Sequence, residues 1–402
     1  MDILNVEENI EKNIDENIQS DYCEKFEHMN LKRNVLRGIF AYGFENPSAI
    51  QKKAIPIFLK GHDLIAQAQS GTGKTATFSV SVLESIDENL NKIQAVIVSP
   101  TRELTEQIYT VIKNLAQYTN IKFGLLLGGH SRREQIIQVQ SGIHCVICTP
   151  GRINDLIDNR YIDTENIKCL VLDEADELLK DAFVIQVKYI VENIPSNAQI
   201  CIFSATMSDY CLKTAYKFMN SPKQIHVRKE QLTLEGISQY YVFTDNDKVK
   251  YDTIIDLYSS IIINQLIIYC NTKQRVIYLA NNLAKDNYTC ACIHSELHST
   301  ERMNIMQGFR RGDVRVLIST DLLSRGIDVQ QVSLVINYDL PRNVESYIHR
   351  IGRSGRYGRR GLALNFVSNY DKKLINDLET FYNTQILELP NNVEEVFSKI
   401  IG

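Results

Sequence analysis

No stretch of the 402-residue chain is apolar over anything near the roughly 20 residues that a membrane-spanning helix requires. Met1-Asp2-Ile3-Leu4 leads into acidic residues rather than into a secretory leader, so a cytoplasmic or nuclear location without membrane attachment is expected. No repeat with a period of about 20–50 residues is evident, which excludes a solenoid. A disulfide framework is not expected either, because the nine cysteines are odd in number and scattered through strand-like segments. Cys145-Val-Ile-Cys148 has the spacing of half a zinc site but no second pair in reach, which predicts a buried strand rather than a metal. Nor is there a basic excess. With 44 Lys and Arg against 48 Asp and Glu, the net charge of −4 does not advertise nucleic-acid binding.

The charge that is present is unevenly placed. Residues 1–22 carry Asp2, Glu7, Glu8, Glu11, Asp15, Glu16 and Asp21 against Lys12 alone, an acidic tail of about −6 for which disorder is expected. The other 43 basic and 41 acidic residues leave about +2. Within them Arg342, Arg350, Arg353, Arg356, Arg359 and Arg360 crowd into residues 342–360 against Glu345, a local anion site rather than a basic coat.

A hydrophobic content of 44% over this length suits two or three domains of about 150 residues. Strand-like runs at Asp63–Ala66, Ala95–Ser99, His144–Cys148, Cys169–Leu172 and Gln199–Phe203 alternate with helical stretches, one of which keeps its period through Leu104, Ile108, Val111 and Leu115. Such alternation predicts a mostly parallel sheet with helices on both faces. The pattern weakens after Pro222. It resumes at Tyr240–Phe243, Leu266–Tyr269, Thr289–Ile293, Val314–Ser319, Leu334–Asn337 and Leu362–Val367. We therefore read a first α/β domain over residues 23–228, a linker over 229–236 and a second α/β domain over 237–402.

Two motifs in the first domain carry chemistry. Ala68-Gln-Ser-Gly-Thr-Gly-Lys-Thr75 follows apolar Leu64-Ile65-Ala66 and precedes a helix-forming stretch. Ser70, Gly71, Thr72 and Gly73 are thus placed to wrap phosphates with backbone N–H groups at a helix N-terminus. Lys74 would reach the β and γ phosphates of a nucleotide, and Thr75 would ligate Mg²⁺. Asp173-Glu174-Ala175-Asp176 follows Leu170-Val171-Leu172, so Asp173 can hold the metal, partly through water, while Glu174 positions or deprotonates a water. Alone, an ordinary loop or a solvated helix start would account for either. Both after strands, in this order, point to a bound and hydrolysed nucleoside triphosphate. Ala68 stands where the general loop pattern has its first glycine.

The second domain has no such loop but holds Tyr347-Ile-His-Arg-Ile-Gly-Arg-Ser-Gly-Arg356. The i, i+3 spacing of Arg353 and Arg356 predicts two guanidinium groups on one helical face, suited to a γ-phosphate supplied by the other domain. A solvated basic helix and phosphate contacts to nucleic acid fit the local pattern equally; the phosphate loop elsewhere favours the first.

Further segments follow in a fixed order: Gly43-Phe-Glu-Asn-Pro-Ser-Ala-Ile-Gln51, Pro100-Thr-Arg-Glu-Leu104, Gly128-Gly129, Thr149-Pro-Gly-Arg152, Ser204-Ala-Thr206, Ser319-Thr-Asp321 and Arg325-Gly-Ile-Asp328. With the phosphate loop and the acidic tetrad, they make the chain resemble the DEAD-box RNA helicases from about Cys23 to its end. The resemblance implies two RecA-like domains joined by a short linker, with ATP and Mg²⁺ as cofactors. It implies that Gln51 and Phe44 read adenine, that Phe26 supports the base pocket and that Asp328 takes the ribose hydroxyl. An amide can bond both edges of adenine, and a ring offers a face to the base; Phe26 and Phe44 fit a core role as well. Ser204 and Thr206 would bond Asp176 and report the nucleotide state, and His349 would help relay it. RNA contacts would fall on Pro100, Thr101, Arg102, Gly129, Thr149, Gly151, Arg152 and Thr320. Such contacts go to the backbone, so binding of a single strand or short duplex should be sequence-indifferent.

The activity implied is RNA-stimulated ATP hydrolysis with local, non-processive duplex unwinding in translation initiation, by a monomer working with scaffold and cap-binding initiation factors. The alternative is an ATP-locked RNA clamp of the exon-junction type. Arg353-Ser-Gly-Arg356 and Tyr357 lean toward the clamp; Gln67-Ala-Gln69, Ser204-Ala-Thr-Met207 and Asp321-Leu-Leu323 through Val329-Gln-Gln-Val332 lean toward initiation. Four positions depart from the family pattern: Ser299 where Gln is usual three residues before Arg302, Ser324 for alanine, His130 for threonine and Ala182 for glycine. None removes a catalytic group.

Overall fold

The computed structural model describes residues 22–68, 71–226, 237–260, 265–323, 332–354 and 361–390, together with 392, 393 and 397. The acidic tail up to Asp21 and the expected linker lie outside the described residues. The chain divides into two units, Met1–Arg228 and Lys229–Gly402.

The first unit begins with a 3₁₀ turn at Phe26–Met29, then α1 (Arg33–Ala41) and α2 (Ala49–Leu59). A regular alternation follows: β1 (Leu64–Gln67), α3 (Lys74–Ser85), β2 (Ala95–Val98), α4 (Arg102–Leu115), β3 (Phe123–Leu126), α5 (Arg132–Gln140), β4 (Cys145–Cys148) and α6 (Pro150–Asp158). It continues through β5 (Cys169–Asp173), α7 (Ala175–Leu178), α8 (Asp181–Glu192), β6 (Gln199–Ser204), α9 (Asp209–Ala215) and β7 (Lys223–His226). All strand pairs are parallel, in the order β3-β4-β2-β5-β6-β1-β7.

Because successive strand residues point to opposite faces, Ala95 and Ile97 enter one core while Val96 and Val98 enter the other. Burial on both faces is why these strands read as short unbroken apolar runs. Cys145 and Cys148 are among them, fully buried in β4, and burial pushes both thiols up. Helix starts are set by side chains: Thr101, Ser131 and Ser208 accept from backbone N–H groups of α4, α5 and α9. On α4 the buried stripe is Leu104, Ile108, Ile112 and Leu115, so Ile112 takes the core place expected of Val111. The sequence pattern does not predict β3 and β7. Each has four residues, Phe123-Gly-Leu-Leu126 carries a glycine and Lys223-Gln-Ile-His226 is largely polar.

The second unit repeats the plan. Its elements are β8 (Ile237–Phe243), α10 (Asp247–Ser260), β9 (Gln265–Tyr269), α11 (Lys273–Lys285), β10 (Ala291–Ile293), α12 (Ser299–Arg311), β11 (Val316–Ser319), β12 (Val332–Asn337), α13 (Val344–Ile351), β13 (Gly361–Val367), α14 (Lys372–Tyr382) and β14 (Leu387–Glu388). These strands are also all parallel, ordered β10-β11-β9-β12-β13-β8-β14. The two-residue β14 is too short to register in a sequence pattern. Among the described residues no helix is long and apolar enough to cross a membrane.

Candidate functional site

In open parallel sheets ligands gather outside the carboxyl ends of the strands. In the first unit the strand order sorts the motifs into two groups. The phosphate loop, the acidic tetrad and Ser204-Ala-Thr206 follow β1, β5 and β6, which are adjacent. The segments at Pro100–Arg102, Gly128-Gly129 and Thr149–Arg152 follow β2, β3 and β4, also adjacent.

Gly71 and Gly73 take positive φ, 86° and 98°, which only glycine adopts freely. A Cβ on Gly71 would meet nothing within 4 Å, so the loop faces open space there. Gly73 caps α3, and Lys74 begins it with its Nζ donating to the Ala68 carbonyl at 2.8 Å. The lysine is therefore folded back over its own loop, within reach of whatever occupies it. Thr75 follows on the first turn of α3. The base of the loop is tied to β6, since Ala68 N donates to the Ser204 carbonyl at 3.0 Å. Ser70 lies outside the described residues.

Asp173 ends β5, and the chain turns sharply after it, with Glu174 left-handed at φ 51° and its N–H donating to Asp173 Oδ1 at 3.0 Å. The acidic tetrad is buried rather than a solvated helix start: Asp173, Glu174 and Asp176 are each no more than 3% exposed. Burial, and next the Glu174 charge, push the Asp173 carboxyl up to about 7 against the pull of Lys74. Glu174 Oε2 is buried without a hydrogen-bond partner. A carboxylate held that high beside an orphaned carboxylate oxygen suits a divalent cation and a water, so these residues fit Mg²⁺ and a nucleotide.

Asp176 is gripped from β6: Ser204 Oγ lies 2.8 Å from its Oδ1, and Thr206 Oγ1 lies 2.9 Å from its Oδ2. Ser204 Oγ is also 2.7 Å from the Thr206 carbonyl, so one hydroxyl proton serves two acceptors.

Gln51 is buried at the start of α2, where its Oε1 accepts from Ser48 N at 2.8 Å in a capping box. Its Nε2 donates to the Gly73 carbonyl at 3.4 Å, which joins this segment to the phosphate loop. Phe44 packs half-buried at the core edge beside Tyr42, ring centroids 5.0 Å apart. Phe26 lies inside that core at 1% exposure. Its structural role is packing.

On the other half of the sheet, Pro100 is buried, Thr101 caps α4, and the Arg102 guanidinium lies over Gly129, whose φ is 84°. A Cβ on Gly129 would sit 2.7 Å from Arg102 Nη1. Thr149 precedes α6 without a side-chain cap, its carbonyl accepting from Arg152 N at 3.2 Å and Ile153 N at 3.3 Å, and Gly151 on the first turn is exposed. Arg152 is held by Gln135 Oε1 at 2.8 Å and by the His130 carbonyl at 3.2 Å. The His130 departure thus keeps its backbone role, and its Nε2 lies 4.0 Å from Glu106 Oε1. Ala182 is exposed near the start of α8, where Asp181 carries the positive φ of 48°.

In the second unit Thr320 follows β11, half-buried. His349 lies on α13, and Arg353 Nε donates to its carbonyl at 3.1 Å. The helical placement expected of Arg353 does not hold. Helix α13 ends at Ile351, so Arg353 sits on the turn beyond it rather than on a continuing helical face. Tightened bonds from Arg353 N to the Arg350 carbonyl and from Ser354 N to the Ile351 carbonyl close the helix, and Ser354 Oγ also reaches the latter at 2.9 Å. Arg356, Asp328 and Ser324 lie outside the described residues, as does the side chain of Ser299.

Sequence reading counted Arg350 in the local anion site but missed the partners that hold it inside the unit. Its guanidinium is fully buried and grips Asp321 through Nε at 2.5 Å and Nη2 at 2.9 Å, with further bonds to Asn271, Asn337 and the Asp339 carbonyl. The signal was available in Asn337 and Asn365, buried amides at the end of β12 and within the otherwise apolar β13.

The DEAD/DEAH box helicase domain matches residues 48–214, and the helicase conserved C-terminal domain matches residues 249–358. An ATP-dependent RNA helicase eIF4A of Lodderomyces elongisporus is 50% identical over 374 residues, covering 93% of this chain and 94% of its own. Eukaryotic initiation factor 4A of Cryptosporidium parvum is 48% identical over 393 residues, 97% of each chain. Among solved structures, Dbp5 of S. cerevisiae bound to RNA and ADP BeF3 superposes with a TM-score of 0.89 at 31% identity, over 94% of this chain and all of that one.

Proposed function

This chain belongs to the DEAD-box ATP-dependent RNA helicases, and from that premise we propose a cycling enzyme of translation initiation that couples ATP hydrolysis to local, non-processive separation of short RNA duplexes. Relatives named eIF4A favour this over an ATP-locked clamp. The observation that carries the chemistry is the orphaned Glu174 oxygen beside Asp173 at the mouth of the phosphate loop.

Bound Mg²⁺ would supply charge neutralisation on the triphosphate, held by Thr75 and Asp173 partly through water. The chain does the rest. Gly71, Thr72, Gly73 and Ser70 cradle phosphates with backbone N–H groups while Lys74 leaves the Ala68 carbonyl for the β and γ oxygens. Gln51 and Phe44 select adenine, and Asp328 takes the ribose. Glu174 orients the attacking water and accepts its proton. Arg353 and Arg356, with His349 relaying nucleotide state, act from the second unit on charge developing at the γ-phosphate. The segments ending β2, β3 and β4, with Thr320, hold the RNA backbone without reading bases. Ser204 and Thr206, through Asp176, link nucleotide state to RNA grip. We infer further that the enzyme works as a cytoplasmic monomer with scaffold and cap-binding initiation factors.

Hydrolysis measured with and without single-stranded RNA, beside strand separation of a short duplex, tests this reading. Strong stimulation by RNA and ATP-dependent separation are expected. Equal rates with and without RNA would refute the coupling, and minutes-long RNA retention after ATP addition would favour the clamp.

A further inference from the structure

Helix α13 carries His349 and Arg350 and leads into Arg353, and its seating on the sheet involves five polar side chains that touch neither nucleotide nor RNA in the reading above. Asn337 and Asn365 are paired in register on β12 and β13, and both are fully buried. A hydrogen-bonded chain runs through them. Arg350 Nη1 donates to Asn337 Oδ1 at 3.2 Å, and Asn337 Nδ2 donates to Asn365 Oδ1 at 2.8 Å. Asn365 Nδ2 donates to the Tyr347 hydroxyl at 3.2 Å, Tyr347 to Gln239 Oε1 at 2.8 Å, and Gln239 Nε2 to Thr384 Oγ1 at 2.9 Å.

The direction of this chain is fixed at its inner end. A guanidinium only donates, so Asn337 must turn its oxygen to Arg350 and its NH₂ to Asn365. Asn365 must then turn its NH₂ outward, where the Tyr240 carbonyl also accepts from it at 3.0 Å. The Tyr347 hydroxyl, having accepted, sends its own proton to Gln239. Every amide has one permitted orientation, and bonds aligned this way polarise one another. Tyr347 and Arg350 stand at i and i+3, on one face of α13. Together they pin that helix to the strands while the rest of the Arg350 guanidinium grips Asp321, next to Thr320.

We infer that Tyr347, Asn365 and Gln239 are positioning residues: they set the seat of α13 so that Arg350 joins the Thr320-Asp321 loop to the arginine segment, and RNA stimulation depends on them. The inference rests on the proposed roles of Thr320 and Arg353.

The test uses the full-length chain and Tyr347→Phe, which removes one hydroxyl and keeps the ring. Tyr251→Phe is the control, since it deletes a tyrosine hydrogen bond to Asp286 in the same unit away from α13. At saturating RNA, Tyr347→Phe should lower kcat for ATP about tenfold, one bond's worth of misalignment, with the KM for ATP within about twofold of the parent. The control should match the parent in both. An unchanged kcat in Tyr347→Phe, or a fall that merely tracks a lower folded fraction in thermal melts, overturns the inference. Should Tyr347→Phe not fold, Thr384→Val at the half-buried outer end carries the test: a two- to threefold lower kcat at an unchanged Tm supports the inference, and an unchanged kcat overturns it. If the parent itself is not stimulated by RNA, the functional reading fails instead.

Discussion

Replacing Gly38 by alanine sets two known effects against each other. Gly38 lies inside α1, where it crosses α4, and a Cβ there would sit 1.8 Å from the Leu115 carbonyl oxygen and 2.9 Å from its carbon. Alanine in a helix interior is favoured over glycine by about 1 kcal/mol. Overpacking costs about 1–3 kcal/mol and more where the obstacle is backbone. Here the obstacle is the final carbonyl of α4, which cannot rotate away, and clearing it means moving α1 by more than an ångström. The clash should win by about 1–2 kcal/mol. For a unit of this size that lowers its melting transition by roughly 2–8 °C.

Gly308, inside α12, supplies the opposite case. The nearest obstacle to a Cβ there is Val314 Cγ2 at 3.8 Å, an ordinary contact, so Gly308→Ala should raise the second unit's transition by a degree or more. Because α1 leads directly into the Gly43–Gln51 segment, Gly38→Ala should also raise the KM for ATP severalfold while leaving kcat nearly intact. Differential scanning calorimetry and steady-state hydrolysis read both. A Gly38→Ala protein as stable as the parent, or a destabilised Gly308→Ala protein, would refute the reasoning.

Gly73→Ala should weaken ATP binding at least tenfold, because φ 98° strains alanine and its Cβ would lie 2.7 Å from Gln51 Nε2; parent-like affinity for a fluorescent ATP analogue would count against the cradle. Thr206→Val and Ser204→Ala each take one hydrogen bond, worth about 1.5–3 kcal/mol, from the buried Asp176 carboxylate. Duplex separation should fall tenfold or more in each with the KM for ATP within about threefold, and undiminished separation in either would dismiss the link. His144 accepts from Lys122 N at 2.9 Å through Nδ1, and burial first, then the Lys122 charge, lower it below its ordinary 6.5. Its contribution to stability is therefore complete above about pH 6.5 and is lost as the pH falls toward the depressed folded value. His144→Asn keeps an acceptor for that N–H without a titrating group, so the first unit should lose less stability between pH 7.5 and 5.5 than the parent; equal slopes would refute this.

Central strands were legible because burial on both faces makes them short apolar runs, as at Ala95–Val98 and Cys169–Leu172. Edge strands were not, since β3 and β7 bury only part of their surface and need no such composition. The acidic tetrad and phosphate loop were legible because their chemistry demands fixed residue types at fixed spacing. What sequence could not give was who holds whom. Lys74 folded onto Ala68, Gln51 tied to Gly73 and Arg350 gripping Asp321 join residues separated by up to 29 positions, and no local pattern encodes such pairings. The helical placement of Arg353 failed for a related reason. Spacing of three and four implies a shared face only where the helix continues, and the bonds closing α13 at Ile351 lie in the backbone.

Strand order adds a reason for the position of β2. It pairs with β4 on one side and β5 on the other, so it stands at the boundary between the strands that end in proposed RNA contacts and those that end in the nucleotide site. Pro100–Arg102 is thereby one strand, about 4.8 Å, from the end of β5. The two motifs are 73 residues apart in sequence, as Pro100 and Asp173 are numbered, yet neighbours in the sheet. A displacement at Asp173–Asp176 need cross only a single ladder of backbone hydrogen bonds to reach Thr101. A substitution in the middle of β2 should then disturb RNA affinity and ATP turnover together, whereas one in β3, two strands further out, should disturb RNA affinity alone. Val96→Ala against Leu126→Ala makes the comparison, both fully buried. If the β3 substitution moved ATP turnover as much as the β2 substitution, adjacency in the sheet would not be the route by which the two halves communicate.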